Sequence, residues 1–165
     1  MPFFVRHLDD SNHGINNEIM FSRIHGQVAL ALLGLSLTAC KPQVSVIDNV
    51  RKQIESGANE VDMRSAASGF PWDGMFVFGP YAPREEICKI VGLSDRQCSK
   101  ADIDDVDESE FLLLFVDRSA VSRVERVPRT VADFDETPKC SAKLIKRADA
   151  VFSVVRNPRV YLMCR

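Results

Sequence analysis

The chain has 165 residues, a length that suits a single domain with one core, and hydrophobic residues make up 45% of it. Its 21 basic and 23 acidic residues are mixed along the sequence and leave a formal net charge of -2. Such a balance excludes the strongly basic surface typical of nucleic-acid-binding proteins, so we expect no nucleic-acid partner. It also gives no electrostatic reason for attraction to an anionic membrane.

The N-terminal part of the chain has the organisation of a leader. Residues 1–19 have a polar, Asn-rich middle without periodicity, and we interpret them as an upstream extension or a misassigned start. Residues 20–39 follow the order of a signal peptide: Arg23 supplies a positive charge, and an apolar run extends from Val28 to Leu37. This run of about ten residues is well short of the roughly twenty that a membrane-spanning helix needs.

The tetrapeptide LTAC at residues 37–40 resembles the lipobox of bacterial lipoproteins. In that family the cysteine thiol receives a diacylglyceryl group, and the cysteine becomes the N-terminus of the mature chain. The resemblance covers residues 20–40 and implies lipid attachment at Cys40, with acyl chains such as palmitate in the membrane. Because Lys41 rather than aspartate follows, it also implies the outer membrane, with the domain facing the periplasm. The alternative is a buried apolar helix that contains a cysteine.

Residues 40–68 predict a short tether followed by a helix. Apolar residues recur at helical spacing from Val46 to Ile54, and Ser56-Gly57 is a stop signal. The rest of this segment is typical of a loop or a second helical turn. We expect the tether and helix to hold the following domain, residues 69–165, away from the membrane.

The stretch FPWDGMFVFGPYAPREEICKIVG predicts a strand, a tight turn and a short helix. The strand covers the aromatic and β-branched residues Met75 to Phe78, and Gly79-Pro80 ends it. Pro83 suits the first turn of a helix, and Gly92 suits its end. Cys88 then lies on this helix and Cys98 in the loop beyond it.

Three residues around this strand are candidates for contact with a partner: Trp72, Asp73 and Tyr81. Tryptophan and tyrosine are enriched at binding hot spots, but aromatic residues that flank a core strand more often serve packing. Exposure beside a projecting loop would favour binding, and burial would favour a structural role. Asp73 is the one carboxylate that we expect in a partly apolar neighbourhood, beside Trp72.

The second half of the chain is rich in strand patterns. A nearly continuous apolar run predicts a central strand buried on both faces, and a half-exposed strand follows it as a hairpin partner. A short strand and a final hairpin around Asn157-Pro158 complete the set. These segments are, in order, 110–117, 120–128, 143–147 and 149–164. We therefore predict an α+β domain with an antiparallel sheet of about four or five strands and one or two helices towards its N-terminal side.

Lipidation of Cys40 leaves an even number of cysteines in an oxidising compartment, which predicts disulfide bonds. The remaining four allow three pairings, and we favour Cys88 with Cys98 and Cys140 with Cys164. A thiolate metal site is the alternative, but the spacings do not resemble those of zinc sites.

Cleavage before Cys40 also removes every histidine, because His7, His13 and His25 precede it. The mature chain then lacks histidine-based catalytic pairs and histidine zinc ligands, so carboxylates, tyrosine or lysine would have to supply any acid–base chemistry. The acidic residues 102–110 do not follow the spacing of an EF-hand loop, and we interpret them as a solvated loop. We expect no catalytic residues, no metal and no cofactor.

Location and missing catalytic groups together favour a protein-binding role. A small, disulfide-stapled domain tethered in the periplasm can block a protein such as a cell-wall-degrading toxin or a lysozyme by inserting a loop. The prediction is therefore a lipid-anchored, immunity-like binding or inhibitor module, with the membrane and an envelope protein as partners. A structural accessory lipoprotein of the cell envelope is the alternative.

Overall fold

The computed structural model describes residues 45–165, so the predictions for residues 1–39 and for Cys40 lie outside the described residues. The helices are α1 (Val46–Glu55), α2 (Met63–Ala66), α3 (Arg84–Val91) and α4 (Asp95–Lys100). The strands are β1 (Glu60–Asp62), β2 (Gly74–Phe78), β3 (Glu110–Asp117), β4 (Ala120–Pro128), β5 (Asp133–Phe134), β6 (Ile145–Lys146), β7 (Val151–Arg156) and β8 (Val160–Cys164). None of the helices in this part of the chain is both long and apolar enough to cross a bilayer.

The strands form two four-stranded sheets, and the predicted α+β class is confirmed. Sheet A has the order β1-β7-β8-β5, and sheet B has the order β4-β3-β2-β6. Neighbouring strands are antiparallel except β5 and β8, which are parallel. Strand β6 lies within the short strand predicted at residues 143–147. The division into two sheets was not expected, because β1 and β5 are too short to show a pattern of their own. They complete the sheets through pairing with distant strands.

Strand β3 is the central strand that its apolar pattern predicts. It lies between β4 and β2, and its residues from Phe111 to Val116 are all buried. Successive side chains of a strand point to opposite faces, so a strand without polar residues must be covered on both sides. The alternate residues Phe111, Leu113 and Phe115 belong to one core cluster, and Leu112, Leu114 and Val116 belong to another.

These two clusters lie on opposite faces of sheet B. The inner cluster packs sheet B against sheet A, and it includes Phe134, Phe152 and Leu162 of the latter. The outer cluster packs sheet B against α3, α4 and the loop that follows, through Ile87, Cys98, Ile103 and Val106 among others. Sheet B is therefore the middle layer of the domain.

Helix α1 begins and ends where its sequence predicts. The Ser45 hydroxyl caps its first turn by accepting a hydrogen bond from the backbone N–H of Asp48, and Ser56 caps its end before Gly57, which has φ +80°. Val46 and Val50 are fully buried in the inner cluster. The helix is therefore part of the folded domain rather than the spacer before it that we expected, because its apolar stripe completes the core.

Helices α3 and α4 form a pair over the outer face of sheet B. Pro83 is the N-cap of α3, and Gly92 ends the helix in the left-handed conformation with φ +79°. Cys98 was expected in a loop, but it lies on α4. Ser94 and Gln97 start this short helix with a reciprocal capping box.

The cysteines of the described domain form the two pairs that we favoured. Cys88 of α3 is bonded to Cys98 of α4, with 6.1 Å between their Cα atoms. Cys140, in the loop before β6, is bonded to Cys164 at the end of β8, with 5.5 Å between Cα atoms. The first bond holds the helical layer together, and the second joins the C-terminus to the segment beside sheet B.

Because β3 is buried on both faces, we expect that removing a large side chain from it greatly lowers the stability of the domain. Leu113 is fully buried in the inner cluster, so Leu113→Ala should lower the free energy of unfolding by about 2–5 kcal/mol. Val155 of β7 is 46% exposed, and Val155→Ala should change it by only about 0.5 kcal/mol. Urea unfolding followed by circular dichroism measures both, and equal effects would contradict this assignment of the core.

Candidate binding groove

Trp72 is buried and packs in the core, so it is not the exposed contact residue that would favour binding. It is 2% exposed, and its indole Nε1 donates a hydrogen bond of 2.9 Å to the carbonyl oxygen of Ala67. Its ring meets that of Phe115 edge to face, with 5.2 Å between centroids. The guanidinium of Arg147 lies 5.2 Å from the ring centroid on the solvent side of this segment.

Asp73 is exposed, and its carboxylate stabilises a turn. One carboxylate oxygen, Oδ2, accepts a hydrogen bond of 2.9 Å from the backbone N–H of Arg118. Arg118 and Ser119 have φ values of 48° and 68°, as the two central residues of a type I′ hairpin turn require. The partly apolar neighbourhood expected for Asp73 is absent because the Trp72 side chain turns into the core while Asp73 faces solvent.

Tyr81 is the aromatic candidate that is accessible, as expected for a contact residue. Its side chain is 72% exposed, and its backbone N–H donates to the carbonyl of Val106 in the acidic loop. Its phenol donates a hydrogen bond of 2.7 Å to the carboxylate of Glu108. This hydrogen bond to a carboxylate favours the neutral phenol and holds the pKa of Tyr81 above its ordinary value. The hydrogen bond to Glu108 thus fixes the orientation of a ring that is exposed to solvent.

Tyr81 forms one wall of a groove of about 650 Å³, which we call the Tyr81 groove. Four separate segments of the chain meet there. They contribute, among others, Tyr81, Glu108, Arg129, Val131, Pro158 and Arg159. Trp72 and Asp73 precede β2 whereas Tyr81 follows it, so the structure does not bring the three predicted residues together.

A buried carboxylate lies beside the arginines of the groove. The side chain of Asp133 is 3% exposed, and its Oδ1 accepts a hydrogen bond of 2.6 Å from Nε of Arg129. The pKa of Arg129 is raised, chiefly by this hydrogen bond. The second oxygen, Oδ2, is 4.0 Å from the guanidinium of Arg159 and has no hydrogen-bond partner among the described residues.

The two arginines therefore differ in how firmly they are held. Arg129 also donates to the carbonyl of Glu108, and its side chain is 34% exposed. Arg159 is 64% exposed, and its one ion-pair contact among residues 45–165 is the long one with Asp133. Arg129 is thus fixed in the wall of the groove, whereas Arg159 extends its charge into solvent at the rim.

Sequence reasoning missed Asp133, Arg129 and Arg159. The parallel pairing of β5 with β8 places Asp133 beside Tyr161, and so brings it close to the turn that carries Arg159. The Asn157-Pro158 dipeptide identified this turn, but nothing in the sequence connected it with Tyr81. Only pairing between distant strands brings these residues together.

The carboxylates at the groove already have partners. Glu108 accepts a hydrogen bond from the Tyr81 phenol, and Asp133 accepts one from Arg129. Within residues 45–165, no cluster of three or more potential ligands is placed to hold a metal ion. Comparison with protein families, with curated proteins and with solved structures found no match to this chain.

The buried carboxylate predicts a non-additive effect on stability. Arg129→Ala leaves Asp133 buried without its closest cation and should cost about 3 kcal/mol of unfolding free energy. Adding Asp133→Asn removes the buried charge and should recover at least half of that loss. Urea unfolding of the single and double variants measures the coupling. Arg96→Ala, at an exposed arginine of α4, is the control, and strictly additive losses would contradict the pairing.

Proposed function

We propose that this protein is a lipid-anchored module of the bacterial cell envelope that binds a protein partner through the Tyr81 groove. The observation that carries the proposal is the exposed ring of Tyr81, held by Glu108 and flanked by Arg129 and Arg159. Tyrosine and arginine are among the residue types enriched at binding hot spots. An aromatic ring whose orientation is already fixed by a hydrogen bond also loses little conformational entropy when a partner buries it.

An inhibitor or immunity-like role follows from stoichiometric binding of this kind. The chain after Cys40 contains no histidine, and the carboxylates of the groove are engaged in hydrogen bonds or an ion pair with neighbours. A domain that docks on a toxin or a lysozyme in the periplasm needs only a complementary surface and enough stability to keep it in place. Two disulfides and two core clusters supply that stability.

The burial of Trp72 favours the alternative, a structural accessory lipoprotein. An aromatic residue with a satisfied indole N–H and an edge contact inside the core serves the fold and not a partner. Tyr81 distinguishes the two proposals, since the packing of the domain does not require an aromatic ring at a position that is 72% exposed.

Site-specific crosslinking in intact cells tests the groove. A photoreactive phenylalanine analogue in place of Tyr81 should give a discrete adduct, whereas the same analogue at Val155, exposed on β7, should not. Once the adduct identifies the partner, Tyr81→Ala should weaken its binding by about 30-fold or more, as for a hot-spot residue. Adducts at Val155 without any at Tyr81 would favour the structural alternative, and unchanged affinity of Tyr81→Ala would contradict the groove.

Mass spectrometry of the N-terminus tests the lipid anchor. The wild-type protein should begin at Cys40 and carry acyl mass, whereas Cys40→Ser should remain an unprocessed precursor without lipid. As a control, Lys41→Asp should keep the lipid but move the protein from the outer to the inner membrane fraction. The same N-terminus and mass for wild type and Cys40→Ser would refute the lipoprotein assignment.

A further inference from the structure

Basic side chains gather around an exposed leucine on a surface that the Tyr81 groove does not include. A shallow groove of about 360 Å³ is lined by Lys139, Lys143, Leu144, Lys146 and Arg165, among other residues. We call these five residues the basic face. Leu144 is 47% exposed, which makes it one of the few large hydrophobic side chains on the surface of the described domain.

The lysines of this face have no direct counter-charge. Among the described residues, Lys139, Lys143 and Lys146 form no ion pair, and Asp149 is the one acid in the lining of this groove. Arg165 forms an ion pair with Glu60 of β1. The lysine charges are therefore available to an external anion, and they surround an apolar side chain.

The basic face and the Tyr81 groove lie near opposite ends of β8. Arg165 follows the end of this strand, and the disulfide between Cys140 and Cys164 places Lys139 beside it. Pro158 and Arg159, which precede the strand, line the Tyr81 groove. A five-residue strand spans about 17 Å, so these two groups of residues are well separated.

Charge is accordingly segregated, although the net charge is small. Residues 102–110, next to Tyr81, contain six acids and no base. The lysines of the basic face come from one connecting segment, and the C-terminus adds Arg165 to them. The mixed distribution along the sequence suggested no attraction to an anionic membrane, but folding creates a local basic surface.

We propose that the basic face docks on an anionic lipid bilayer, with its lysines at the headgroup phosphates and Leu144 in the interface. A lysine next to an anionic membrane strengthens binding by about fivefold, and an exposed apolar side chain adds its own transfer free energy. A lipid surface fits better than a nucleic acid, because the residues that line this groove include no aromatic ring to stack on a base.

Docking in this way orients the domain. With the basic face on the bilayer, the start of β8 points away from it, so the Tyr81 groove faces the aqueous phase. The contact adds a second attachment to any N-terminal lipid and restricts rotation about the tether. It does not depend on Cys40, since it uses only residues of the folded domain.

Vesicle sedimentation of the full chain tests the contact. The protein carries Cys40→Ser, so that no acyl chain contributes, and the vesicles contain equal parts of phosphatidylglycerol and phosphatidylcholine. Relative to this parent, Lys139→Gln with Lys143→Gln and Lys146→Gln should lower the partition coefficient by about 100-fold. Binding by the parent should also fall when salt is added, and should be weak on phosphatidylcholine alone.

Matched variants distinguish a contact at the basic face from a general effect of net charge. Lys52→Gln, Lys89→Gln and Lys100→Gln together change the net charge equally at exposed lysines elsewhere, and should leave binding nearly unchanged. Any contribution of the leader is the same in all of these chains. Leu144→Gln should weaken vesicle binding without altering the thermal midpoint. Equal losses for the two lysine triplets, no loss for either, or retention on single-stranded DNA in preference to vesicles would overturn the proposal.

Discussion

Strands β2 and β3 bury side chains on both faces, and this requirement determines the positions of the elements around them. Alternate residues of β3 enter different core clusters, so each face of sheet B needs a cover. Sheet A and α1 cover one face, and the disulfide-linked pair of α3 and α4 covers the other. A domain in which one face of sheet B were solvated would need only one of these two covers.

The same arrangement decides which aromatic residues reach solvent. Trp72, in the segment before β2, belongs to the inner cluster. The guanidinium of Arg147 covers its ring on the outside. After β2 the chain leaves sheet B to reach α3, and Tyr81 adopts a positive φ of 65° at this corner. Its ring projects beside the acidic loop instead of into the core. Of the two aromatic residues that flank β2, Trp72 thus packs in the core and Tyr81 is exposed on the surface.

The surfaces of the domain differ in chemistry because distant segments meet at each of them. At the Tyr81 groove, a buried carboxylate fixes Arg129 and leaves Arg159 extended, which combines a rigid wall with an adaptable rim. At the basic face, lysines without ion pairs surround one exposed leucine. The first combination suits a shaped protein partner, and the second suits a fluid anionic surface that needs no fixed geometry.

The sequence by itself determined features that depend on neighbouring residues: helices α1 and α3 and their ends, the apolar central strand, the hairpin turns and the resemblance of residues 20–40 to a lipoprotein signal. Short strands such as β1 and β5 could not be predicted, because two or three residues carry no periodicity. The tertiary structure alone decided that Trp72 is buried, that Tyr81 meets Arg129 and Arg159, and that the lysines are joined by Arg165. Exposure and proximity depend on contacts between residues far apart in the chain, and local pattern does not encode them.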